Sequence, residues 1–102
     1  KPRPWINLGN QYVRQGRVAE GQHAYEVALL LSMDARRPLA EQVFGLGIAS
    51  VNLARLRAAR QDWAGAARLL RMAGARRPTA TVVRETEQWV FEQAGPSVAS
   101  WF

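Results

Sequence analysis

Histidine, cysteine and paired carboxylates carry most catalytic and metal chemistry, and this chain is poor in all three. Its single histidine, His23, stands between Gly21 and Tyr25. Zinc needs three or four protein ligands, and no cysteine or second histidine is present to join it. His23 therefore reads as a solvated surface residue. Glu85 and Glu87 lie two apart, which on a helix points them in different directions, so they do not form an acid and base pair. Gly45-Leu46-Gly47 lacks the third glycine and the preceding strand that a dinucleotide fingerprint requires; its small residues suit close helix packing instead. No catalytic residue, cofactor or metal site follows from the sequence, and no enzymatic activity is expected. What remains is charge. Thirteen arginines and one lysine against eight acids give a net +6, a balance that attracts anionic ligands, acidic surfaces or nucleic acid. The arginines look scattered, the densest runs being Arg36-Arg37 and Arg76-Arg77.

The 102 residues suit one domain, residues 1–102, and 48% of them are hydrophobic, enough for a packed core. No apolar run approaches the ~18 residues of a membrane span, and no basic-then-apolar secretion signal opens the chain. The absence of cysteine fits a cytoplasmic setting. The chain opens at Lys1 without an initiator methionine, so a piece of a longer protein is expected.

The pattern of apolar residues calls for helices throughout. Pro4 suits a first helical turn, where its missing N–H costs nothing, and a helix from about Trp5 to Gln15 should stop at Gly16. A second, from about Val18 to Met33, repeats Tyr25, Ala28, Leu29 and Met33 at helical spacing. Pro38 opens a long third helix to about Arg60, with Leu39, Val43, Leu46, Ser50 and Leu53 along one stripe. Asp62 is a candidate N-cap for a fourth helix from Trp63 to Ala73, ended by Gly74. Ala75-Arg76-Arg77-Pro78 copies Ala35-Arg36-Arg37-Pro38 forty residues on, suggesting one connection used twice. Thr79 or Thr81 should cap a fifth helix to about Gln93, and Gly95-Pro96 should end it.

Two stretches superpose at an offset of 45 residues. The first carries Trp5, Leu8-Gly9, Tyr12, Gly21, Tyr25 and Ala28; the second carries Leu53-Ala54, Ala66, Leu70, Ala73 and Pro78. The order of small and large residues resembles the tetratricopeptide repeat, in which small residues sit where helices approach and large ones fill the wedge between them. Gly21, Ala28, Ala66 and Ala73 should then be buried at helix contacts, with Trp5, Tyr12, Tyr25 and Trp63 as wedges. The resemblance implies an all-α, right-handed superhelix of helical hairpins, about five helices plus a short C-terminal cap. Repeat 1 would span about 2–35, repeat 2 about 47–80 and the capping helices about 79–102. Trp89, Phe91, Trp101 and Phe102 would form the cap, with Trp101 and Phe102 also able to reach another protomer. Arg57, Ser50 and Met33 depart from the repeat pattern at positions usually held by tyrosine, tryptophan and proline.

The run Asp62-Trp63-Ala64-Gly65-Ala66-Ala67-Arg68-Leu69-Leu70 and the ending Gly-Pro-Ser-Val-Ala-Ser-Trp-Phe resemble a more particular arrangement. They are similar to the C-terminal tetratricopeptide region of large bacterial ATP-binding transcriptional regulators of the LuxR and related activator types. The resemblance implies a non-catalytic sensor or interaction region of a larger transcriptional regulator. A stand-alone adaptor binding an extended peptide is the first alternative, and a basic nucleic-acid-binding helical domain the second. In this repeat the first helix of each hairpin lines a concave face, which implies a binding surface of Ile6, Asn10, Val13 and Arg14 together with Ile48, Val51, Arg55 and Ala58. Asn10 and Arg55 hold the place of a carboxylate-binding amide, whereas Ile6 and Val51 stand where its basic partner would be. The implied partner is a protein, a peptide or a small ligand in that groove, with no membrane, and nucleic acid is the weakest of the partner readings for this segment.

Overall fold

Short connections dictate the layout: only three residues separate the first helix from the second, and three the third from the fourth, so each pair must run antiparallel. In the computed structural model, which describes residues 1–76 and 81–95, the helices are α1 (Pro2–Arg14), α2 (Val18–Ser32), α3 (Leu39–Ala59), α4 (Trp63–Arg76) and α5 (Thr81–Ala94). Consecutive helices pack on one another, and α3 also touches α1 and α5. Two layers result, with α1, α3 and α5 in one and α2 and α4 in the other. No strand occurs among the described residues.

The 45-residue offset is visible in the backbone. Helix α1 ends with Gly16 at φ 80° and α3 ends with Gln61 at φ 62°, and 16 and 61 are equivalent positions. In each, the same two hydrogen bonds close the end. Gly16 N–H donates to Val13 O and Arg17 N–H to Tyr12 O; Gln61 N–H donates to Ala58 O and Asp62 N–H to Arg57 O. This pairing satisfies carbonyls that a helix end otherwise leaves open.

Small residues bring the helices together as the pattern anticipates. Gly21, Ala28, Ala66 and Ala73 are all buried. A Cβ on Gly21 would lie 2.6 Å from Val13 Cγ2, and one on Gly9 would lie 2.5 Å from the Tyr25 ring, so α1 and α2 close only because neither residue has one. Gly45 lets α3 approach Ser32 Oγ and Pro2 in the same way. One core cluster joins Val51, Ala54, Ala58, Ala66, Leu70, Ala73 and Val90; a second joins Ile6, Tyr25, Ala28, Ala49 and Leu53. Leu69 packs against both.

Several boundaries and burials differ from the sequence expectation. Helix α1 starts at Pro2 rather than Trp5, because proline at the first positions forfeits no hydrogen bond. Pro38 is the N-cap of α3, in an extended conformation, not its first residue. Helix α4 runs through Gly74 to Arg76; an interior glycine costs a helix only about 1 kcal/mol, and Ala73 beside it is anchored in the core. Ala75 and Arg76 are thus helical, whereas Ala35 and Arg36 lie in the α2–α3 connection, so the shared tetrapeptide does not make the same connection twice. Thr81 is the first residue of α5 rather than its cap, and Thr79 falls outside the described residues. Leu39 and Met33, placed on apolar stripes, are mostly exposed, because α3 has not yet reached its neighbours at Leu39 and α2 has ended at Met33. Of the wedges, Tyr25 is buried, Trp63 and Tyr12 are half-buried, and Trp5 is 36% exposed in a cleft between α1 and α2. Among the capping aromatics Trp89 is exposed and Phe91 half-buried; Trp101 and Phe102 lie outside the described residues.

Candidate functional site

The layer of α1, α3 and α5 brings polar side chains together around one buried ring. Tyr25 projects from α2 into the second core cluster and is nearly inaccessible, yet its hydroxyl donates to Asn10 Oδ1 at 2.5 Å. Buried phenols need such a partner, since an unmatched hydroxyl there costs about 1–3 kcal/mol. Asn52 Nδ2, from α3, donates to the same oxygen at 3.5 Å. Asn10 is thereby held from two helices, and its own Nδ2 has no protein partner among the described residues. Burial pushes the Tyr25 phenol above its usual value, while the charges of Arg14 and Arg55 pull against that rise. Arg14 follows Asn10 by four residues on α1 and Arg55 follows Asn52 by three on α3, so each shares a helix side with one of these amides. Both arginines are exposed, and among the described residues neither has an ion-pair partner.

Arg55 also opens onto a cleft of about 430 Å³ lined by Glu85, Thr86 and Trp89 of α5. Thr86 is buried and Trp89 is 40% exposed. Glu85 shares this cleft with Arg55 without pairing with it. The face thus offers three groups of hydrogen-bond donors, an indole to lie against and one carboxylate.

Only some of the expected groove residues reach this face. Asn10, Arg14 and Arg55 do. Ile6 and Val51, 3% and 2% exposed, belong to the core clusters, as does buried Ala58. Val13 and Ile48 are half-buried against the second cluster, Val13 filling the space above Gly21. These apolar side chains support the face from below, because α1 and α3 must bury one side to pack on α2 and α4. Asn52 was missed, although it stands three residues before Arg55 and so on the same side of a helix. Trp89 and Thr86 were assigned to the cap or passed over; only the packing of α5 on α3 reveals that they border Arg55.

His23 is exposed on the far side of the first hairpin, in a cleft with Trp5, Leu8 and Tyr12. Among the described residues no group of three or more His, Asp or Glu side chains is placed to hold a metal ion. Glu87 is half-buried, and that burial raises its carboxyl above the usual range against the pull of Arg84. No described helix is long and apolar enough to cross a membrane. No family model, curated protein or solved structure matches the chain.

Proposed function

We propose that the chain is a non-catalytic binding module that takes an extended, acceptor-rich segment, a peptide with a carboxylate, on the face of α1, α3 and α5. Its hairpins are tetratricopeptide-like units of a right-handed superhelix. Its role is that of a sensor or interaction region within a larger bacterial transcriptional regulator, a reading supported by the resemblance of the Asp62–Leu70 run. One observation carries the binding assignment: Arg14 and Arg55, without ion-pair partners among the described residues, stand one helical turn from Asn10 and Asn52, the amides that meet at Asn10 Oδ1 with the Tyr25 hydroxyl. Rigidly held donors bind at lower entropic cost than free ones, and guanidinium forks match carboxylates. Asn10 offers an N–H and Asn52 a carbonyl, the pair of groups a peptide backbone pairs with.

The test is an NMR titration with short acidic peptides bearing a free C-terminal carboxylate. The side-chain amides of Asn10 and Asn52 and the indole N–H of Trp89 should shift together. Arg14→Ala and Arg55→Ala should each weaken binding by about ten- to a hundredfold, the worth of a charge-assisted hydrogen bond. Arg36→Ala, in the α2–α3 connection, should leave it unchanged. Shifts confined to other surfaces, or equal losses at all three arginines, would remove the assignment.

A further inference from the structure

The arginines are not scattered once the chain is divided by its hairpins. Residues 55–77 hold seven arginines and a single acid, Asp62, so that this segment alone carries the whole net +6 of the chain. Everything outside it balances, seven basic against seven acidic residues. Its described residues, 55–76, are the end of α3, the α3–α4 connection and α4; Arg77 lies outside the described residues.

Four of these side chains fall on one ridge. Arg57 and Arg68 line a common cleft between α3 and α4, about 200 Å³ in volume, with Asp62, Gly65, Leu69 and Met72; Leu69 and Met72 form its half-buried floor and the arginines its rim. Arg60 follows Arg57 by three residues, and Arg71 follows Arg68 by three, so each pair shares a side of its helix. Asp62 is already engaged, accepting Gly65 N–H at 3.0 Å and lying 3.5 Å from Arg57. Arg60, Arg68 and Arg71 are exposed and make no hydrogen bond or ion pair among the described residues. Arg55 opens onto the cleft beside α5 and is not part of the ridge.

The character of the ridge selects its partner. Protein interfaces centre on aromatic or aliphatic anchors with charge at the rim, and membrane-surface helices need an apolar face to insert. The large exposed hydrophobic residues, Trp5, Val18, Leu30, Met33, Leu39 and Trp89, all lie outside residues 55–76. Over residues 55–74 the exposed side chains are arginine, glutamine and alanine only. With Leu69 and Met72 only half-buried in the cleft and no large apolar side chain exposed on the rim, a repeating anion that asks chiefly for charge fits best. We propose that the α3–α4 ridge binds the phosphodiester backbone of nucleic acid, without reading its sequence, through Arg57, Arg60, Arg68 and Arg71.

Each phosphate neutralised contributes about −0.9 to the slope of log affinity against log salt on duplex DNA. A labelled 20-base-pair duplex titrated with the full chain between low and physiological salt should therefore show a slope of about −3 to −4. The triple variant Arg60→Gln, Arg68→Gln, Arg71→Gln should reduce its magnitude by about three, while the lysine triple at the same positions keeps it. The control triple Arg3→Gln, Arg36→Gln, Arg84→Gln removes the same charge from α1, the α2–α3 connection and α5 and should leave the slope unchanged. Circular dichroism melting verifies that all variants remain folded. Equal losses in the two glutamine triples would show diffuse attraction and overturn the ridge. Absence of binding at low salt would overturn it too. Comparable, ridge-dependent binding to polyglutamate or to phosphatidylserine vesicles would overturn the nucleic-acid assignment.

Discussion

At the scale of single residues, the packing argument predicts where one methyl group matters. Ala66 is fully buried among Ala58, Leu70 and Ala73. Ala66→Leu should cost about 1–3 kcal/mol by forcing methylenes into a filled contact, seen as a lower thermal midpoint; an unchanged midpoint would show that the contact is loose. Tyr25→Phe removes the donor to Asn10 and should cost about 1 kcal/mol. It should also alter the alkaline limb of stability. Because burial raises the folded phenol pKa, the contribution from Tyr25 is complete below its unfolded value near ~10 and is lost as pH rises through the folded value. The Phe variant should lack that part of the alkaline decline in denaturant titrations. Asp34 behaves oppositely. Its carboxylate accepts the Arg36 side chain and backbone N–H and is held down at about 2. Its contribution is therefore present above the ordinary aspartate value and lost as pH falls through about 2, and carbon NMR of the carboxyl should show that low titration.

At the scale of elements, helix ends are the informative parts. Gly16 and Gln61 occupy equivalent left-handed positions, but only glycine adopts that conformation without steric cost. Gln61→Gly should therefore stabilise the chain by about 1 kcal/mol, raising the midpoint by several degrees, whereas Gly16→Gln should lower it. Opposite signs are the signature of equivalence; a loss at both would deny it. The start of α4 was legible, since Asp62 does bond Gly65 N–H as an N-cap should. The end of that helix was not. Glycine signals a stop only when the chain needs a left-handed turn there, and burial of Ala73 keeps α4 intact past Gly74.

At the scale of the molecule, Val90 is the one described residue of α5 in the first core cluster. Val90→Ala removes two methyl groups, worth about 1.5–3 kcal/mol with the cavity left behind. Hydrogen exchange should accordingly speed up first in α5, with α1 to α3 protected for longer; uniform acceleration would mean that the helices open as one unit. The order of the five described helices, the small residues at their contacts and the 45-residue offset were all determined by the sequence itself, because helical periodicity and helix-end chemistry are local; the expected C-terminal cap lies outside the described residues. The tertiary structure alone decided which faces are used. Ile6 and Val51 share helices with Asn10 and Arg55 but are spent on the core, since α1 and α3 are each packed from more than one direction. Asn52, Tyr25 and Trp89 join the site from three helices. The distances that unite them are set by packing between segments far apart in the chain, which no local pattern encodes.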